Sequence, residues 1–108
     1  MSTGQPHNQE GFLEEIKEKV TEPPMYKVLI HNDDYTTKVF VVEILTAVFN
    51  KSIEEATQLM WQIHRNGIAV CGIYPYELAE TKINIVTKVA RENGFPLNTT
   101  MEREYKCS

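Results

Sequence analysis

An apolar run, Met25-Tyr26-Lys27-Val28-Leu29-Ile30, begins directly after a proline pair and is cut off by Asn32-Asp33-Asp34-Tyr35. Proline lacks a backbone N–H and has a fixed φ, so Pro23-Pro24 stops any helix that precedes it. Asn and Asp favour strand exits because their short side chains bond their own backbone. A short apolar run between such boundaries reads as a buried strand. Its polar exit also gathers oxygen acceptors at the mouth of an apolar surface. That combination suits a cationic ligand carrying a hydrophobic group, and an amino-terminal α-ammonium beside a bulky side chain is such a ligand.

The remainder of the chain supplies cover for this strand. Over 39–50, Phe40, Val41, Ile44, Leu45, Val48 and Phe49 recur as doublets at i, i+4, which predicts a helix with a wide buried face. Ser52 with Glu55 three residues on is a capping box that opens a second helix. Ile53, Ala56, Leu59, Met60 and Ile63 are expected on its inner side, and Gly67 at its end. Ile68-Ala69-Val70-Cys71-Gly72-Ile73 reads as a second buried strand. Pro75 suits the first turn of a third helix with Ala79, Ile83, Val86 and Ala90 on one face and Gly94 as its stop. Residues 96–101 are expected to close the sheet. The order is βααβαβ, an α+β sandwich in which a three-stranded antiparallel sheet is covered by three helices.

Length and charge narrow the function. The 108 residues, 42% of them apolar, are enough for one small domain with one modest core. Residues 25–108 form that expected core, and the polar, charge-dense 1–24 is expected to be a flexible tail. A net charge of −4 without a Lys/Arg cluster argues against a nucleic-acid surface. Cys71 and Cys107 have neither a CxxC spacing nor a disulfide framework, so no metal or other cofactor is implied. No apolar run approaches about 18 residues and no leader pattern opens the chain, so no membrane contact is expected and the location is expected to be cytoplasmic.

Met60 and His64, at i, i+4, lie one above the other on the second helix, with Ile63 beside them. If that helix packs on the sheet, the strand end carrying Asn32 meets its face. A primary ammonium has three N–H donors and no acceptor, so it needs acceptors around it. The Asn32 carbonyl, an Asp34 carboxylate and a neutral His64 nitrogen could supply them above a floor of Ile30, Val41, Met60, Ile63 and Leu97. Other readings remain at this level. Asn and Asp after a strand are ordinary turn formers, and His64 could be a structural residue. A metal-dependent hydrolase would need a third convergent ligand and a nucleophile that the sequence does not offer.

Several blocks in order resemble the ClpS adaptor family: Pro23-Pro24-Met25-Tyr26-Lys27-Val28, Asn32-Asp33-Asp34-Tyr35-Thr36, Ala56-Thr57-Gln58-Leu59-Met60, His64, Val70-Cys71-Gly72, Ala79-Glu80-Thr81-Lys82 and Ala90-Arg91-Glu92-Asn93-Gly94. The resemblance implies a non-enzymatic N-degron adaptor, with a fold shared with the ribosomal stalk protein's C-terminal domain. Such an adaptor binds proteins beginning with Leu, Phe, Tyr or Trp and delivers them to the AAA+ unfoldase ClpA for degradation by ClpP. It implies that Asn32, Asp33, Asp34 and His64 bind the N-terminal amine. Ile30, Thr36, Lys38, Val41, Met60, Ile63 and Leu97 would line the side-chain pocket. Glu77 and Lys82 would face the amino-terminal domain of ClpA, and the adaptor would be a monomer. A stalk-type factor-binding domain is the alternative within this fold, and it has no use for the acceptor set. One departure falls inside the key motif: the family usually continues Asp-Asp-Tyr-Thr-Pro-Met, and this chain has Thr37-Lys38. The usual Met rejects β-branched first residues, so Lys38 is expected to make a leakier gate. Its stem has similar reach, but its ammonium prefers water.

Overall fold

The computed structural model describes residues 23–105. The expected tail falls outside the described residues except for its last two positions, as does Cys107. Element order is β1 (Met25–His31), α1 (Lys38–Ala47), α2 (Ile53–Asn66), β2 (Ile68–Pro75), α3 (Tyr76–Glu92) and β3 (Asn98–Glu104), the βααβαβ order read from the sequence. The sheet runs β2-β1-β3 with both pairings antiparallel.

β1 is apolar throughout its centre because it is flanked on both sides. Val28 and Ile30 are 0% exposed beneath the helices, while Leu29 is 7% exposed on the other face between Val70 and Thr100. On that face, which no helix among the described residues covers, polar pairs cross the strands. Lys27 reaches Glu102 at 3.6 Å, and His31 Nε2 lies 2.8 Å from Thr100 Oγ1.

β2 departs from the expectation of a fully buried strand. Only its helix-facing side is covered, by Ala69 and Cys71, while Ile68, Val70 and Ile73 stay exposed at the sheet edge. The register shifts between Val28 and Leu29, so that Val28 faces Gly72 and Leu29 faces Val70. Cys71 is therefore the extra residue of a bulge, and the alternation of faces changes phase there. Burial pushes the Cys71 thiol up to about 12, which leaves it inert as a nucleophile.

Each helix owes its start to a local bond or a fixed φ. Thr37 Oγ1 accepts from Phe40 N–H at 3.1 Å and opens α1. Ser52 and Glu55 close the expected capping box on α2. Ile53, expected inside, is 70% exposed, because the first helical residue points away from the core before the face is established. Pro75 sits at the N-cap of α3, one position earlier than expected, and ends β2 in extended backbone. Ala79, Val86 and Ala90 are buried as expected, with Ile83 packed at the edge of the core.

β3 begins two residues later than the sequence pattern implied. Pro96 cannot donate to a ladder, and the turn before it is held elsewhere. Arg91 Nη1 donates to the carbonyls of Phe95 at 2.8 Å and Leu97 at 3.2 Å, and the Phe95 ring packs on Phe40 with centroids 4.8 Å apart. Pairing with β1 starts at Asn98 opposite His31.

Gly67 ends α2 in the left-handed region, φ +89°, with its N–H on the Ile63 carbonyl at 2.8 Å. A Cβ added there would meet nothing within 4 Å. Gly67→Ala should therefore lose only backbone energy, about 1–2 kcal/mol of unfolding free energy by urea titration, with Gly67→Asn losing less. Equal stability of the alanine variant and the parent would contradict this.

Candidate functional site

The exit of β1 and the last turns of α2 are joined through the backbone. Asn32 N–H donates to the Gly67 carbonyl at 2.9 Å. This bond fixes the start of the 32–37 loop beside the helical face on which Met60, Ile63 and His64 follow one another at i, i+3, i+4.

The loop is wound by one carboxylate. Asp33 Oδ1 accepts from the amides of Tyr35 at 2.8 Å and Thr36 at 2.7 Å, and Oδ2 accepts from the Thr36 hydroxyl at 2.6 Å. Partial burial acts to raise the Asp33 pKa. The Thr36 hydroxyl, the two amides and the more distant Arg91 charge outweigh that burial and hold it below its ordinary 3.8. The resemblance groups Asp33 with the amine ligands, but its oxygens are chiefly engaged in shaping the loop. Asp34 differs. Its side chain is exposed toward the cavity and, among the described residues, accepts no hydrogen bond.

Between loop, α1 and α2 lies a cavity of about 280 Å³. Asn32, Asp33, Asp34 and His64 form its polar rim, while Val41, Met60 and Ile63 form its apolar wall. Thr36 and Lys38 complete it, so nearly all of the expected site residues do converge. Ile30 and Leu97 do not. They are 0% and 1% exposed in the core and are not among the residues that line the cavity. Tyr35 and Thr37 also line the cavity. Sequence reasoning missed both, although their place between Asp34 and the helix start was a usable signal.

Lys38 is exposed but has a neighbour. Its ammonium lies 5.8 Å from the centroid of the Trp61 ring, within cation–π range. On the far side of the molecule, Glu77 is exposed in the first turn of α3. Lys82 is half-buried and committed internally. Its Nζ donates to the Val48 carbonyl at 2.7 Å at the end of α1 and lies 5.1 Å from the Tyr74 ring. Among the described residues, no group of three His, Cys, Asp or Glu side chains converges to hold a metal ion. No helix among them is long and apolar enough to cross a membrane.

Fold and cavity define a small α+β binding domain whose site sits where a central strand's polar exit meets the end of a helix. A family model described as ATP-dependent Clp protease adaptor protein ClpS matches residues 21–100. The ClpS adapter of Desulforapulum autotrophicum is 50% identical over 104 residues, covering 96% of this chain and 100% of its own length. That of Clostridium acetobutylicum is 53% identical over 93 residues, covering 84% and 92%. The solved structure of Agrobacterium tumefaciens ClpS2 bound to L-phenylalaninamide superposes with a TM-score of 0.74 at 42% identity, over 77% of this chain and 100% of that one. The chain belongs to the ClpS family of Clp protease adaptors, and it is an adaptor rather than an enzyme. That assignment sets aside the stalk-type and hydrolase alternatives.

The Asp33 bonds are testable by pH. Because its folded-state pKa is lowered, the loop keeps its full stabilisation above pH 3.8 and loses it only as pH falls through the lower folded value. The amide resonances of Tyr35 and Thr36 should titrate together with a midpoint below 3.8, and in Asp33→Asn that transition should vanish. A midpoint above the ordinary value would show that the carboxylate does not hold the loop.

Proposed function

We propose that this adaptor binds proteins by a bulky hydrophobic first residue, Leu, Phe, Tyr or Trp. It delivers them to the AAA+ unfoldase ClpA for degradation by ClpP, and so modulates the unfoldase's choice of substrates. One observation carries the reading: open acceptors of Asn32, Asp34 and His64 share a cavity with the apolar wall of Val41, Met60 and Ile63. A chain's first residue carries an ammonium fixed next to a side chain, so it satisfies both surfaces at once. An internal lysine carries its charge on a flexible stem and does not. At about 280 Å³, the cavity is smaller than the roughly 300–1,000 Å³ of drug-sized sites, so it takes one residue rather than a long segment. The ligand of the Agrobacterium structure, L-phenylalaninamide, has the same two parts, an α-ammonium and a bulky side chain.

Delivery places Glu77 and Lys82 toward the amino-terminal domain of ClpA. Glu77 would supply the exposed charge, and Lys82 would act mainly by fixing α3 against the end of α1. The tail 1–24 engages the unfoldase while the core holds the substrate. The adaptor works as a monomer in the cytoplasm, without a cofactor.

Fluorescence anisotropy with labelled peptides tests the site. A hydrogen bond to a charged group contributes roughly 1.5–3 kcal/mol, so acetylating a Leu-first peptide and substituting Asp34→Ala should each weaken binding at least about tenfold. Affinity should also fall as pH rises through the α-amino pKa of about 7.7–8.0. Equal affinity for acetylated and free peptides would remove the amine-binding assignment.

Selectivity depends on Lys38. Its stem can stand in for the usual Met only while it is held along the rim, and fixing a lysine costs up to about 2 kcal/mol of rotamer entropy. Leu and aromatic first residues should remain preferred. The Leu-over-Ile affinity ratio should be smaller than in Lys38→Met by roughly fivefold, about half of that entropy. An identical ratio in both proteins would mean that lysine packs there as well as methionine.

A further inference from the structure

Trp61 is the chain's single tryptophan, and it stands on the outer face of α2, 38% exposed, rather than in the core. The Lys38 ammonium lies 5.8 Å from its centroid and the Arg65 guanidinium carbon 5.3 Å from it. The His64 ring meets it edge-on at 5.8 Å. A cation within about 6 Å of an indole is attracted by the ring quadrupole, so Trp61 draws two exposed charges toward one place on the surface. Lys38 opens α1 and Arg65 belongs to the last turn of α2. Only the fold brings them to one ring. Among the described residues neither is paired with a carboxylate, and the ion pair that does form, Lys27–Glu102, lies on the sheet.

This cluster separates two concavities. Lys38 and His64 line the first-residue cavity. Trp61 and Arg65 line a shallower groove of about 510 Å³ along α2, shared with Gln58, Gln62 and Asn66. A chain with its first side chain in the cavity has its second Cα about 3.8 Å further on, at the rim. The loop side of that rim carries Asp33 and Asp34 and repels an acidic side chain. The helix side offers an indole ring with two cations near it, neither of them paired with a carboxylate among the described residues.

Resting on the first-residue site proposed above, we infer that Lys38, Trp61 and Arg65 form a second subsite, which takes the bound chain's second residue and favours an acidic side chain there. The side-chain stem packs beside the indole while the carboxylate meets the two cations gathered there. A lysine or arginine at that position faces like charges and is disfavoured.

The test uses the full chain and labelled peptides of one length beginning Leu-Asp, Leu-Ala, Leu-Lys and acetyl-Leu-Asp. Two exposed ion pairs account for roughly a three- to tenfold preference for Leu-Asp over Leu-Lys at about 0.1 M salt, with Leu-Ala between. The ratio should fall to one or below in the Lys38→Met, Arg65→Gln double variant, where Asp33 and Asp34 act unopposed, and toward one at about 1 M salt, where charges act only over roughly 3 Å. It should also shrink in Trp61→Leu, whose cations lose the ring that gathers them. A ratio of one in the parent, with acetylation still weakening binding, overturns the subsite and leaves the first-residue site standing. A ratio that survives in the double variant places the discrimination on other residues and overturns it equally. Equal binding of acetyl-Leu-Asp and Leu-Asp removes the first-residue site, and the second subsite with it.

Discussion

Gly67 turns the chain out of α2 at φ +89° and leads it directly into β2, while its carbonyl accepts from Asn32 N–H at the end of β1. One backbone position therefore ends a helix, starts an edge strand and anchors the acceptor loop. The left-handed conformation is costly for residues with a Cβ. With any other backbone direction at this point, the polar exit of β1 and the His64 turn of α2 would face different parts of the surface. The cavity exists because a strand end and a helix end are hydrogen-bonded to each other.

Within that frame, two adjacent aspartates do different work. Asp33 is consumed by the loop's own donors, two amides and a hydroxyl, and its lowered pKa reflects how well they satisfy it once burial is overcome. Asp34 is left facing the cavity. The division is economical: an acceptor loop needs one carboxylate to hold its shape and another to meet a ligand. A chain with a single acid here would have to choose between order and binding.

The opposite end of the helical layer is tied by a lysine. Lys82 Nζ satisfies the Val48 carbonyl at the end of α1, where positive charge complements the helix dipole. It is flanked by Phe49 and Tyr74. Tyr74 lies back over Gly72, where a Cβ would collide with its ring. Burial first, and the neighbouring Cys71 second, hold the Tyr74 hydroxyl above its usual pKa. The strand bulge, the missing side chain at Gly72 and the lysine cap thus form one support beneath α1, whose other end carries Lys38 to the cavity.

The element order, the capping box at Ser52 and Glu55, the stop at Gly67 and most of the cavity lining were legible in the chain itself, because they rest on local chemistry. Apolar spacing, short polar side chains and a residue without Cβ act over one helical turn or one strand. The blocks that resemble ClpS added the family, which the matches to other ClpS proteins bear out. What the sequence left open depends on contacts between distant segments. How deeply Ile30 and Leu97 are buried is set by the packing of the helices on the sheet. Ile68, Val70 and Ile73 look buried until β2 proves to be an edge strand with one face uncovered. Lys82 reads as a surface charge until the end of α1 arrives within 2.7 Å of it. Lys38 and Trp61 are far apart along the chain and became partners only when α1 and α2 packed. Local pattern determines which elements form and what chemistry they carry. Which side chains meet is decided by tertiary packing, because a cation finds its ring, or a carbonyl its ammonium, only after the helices have settled on the sheet.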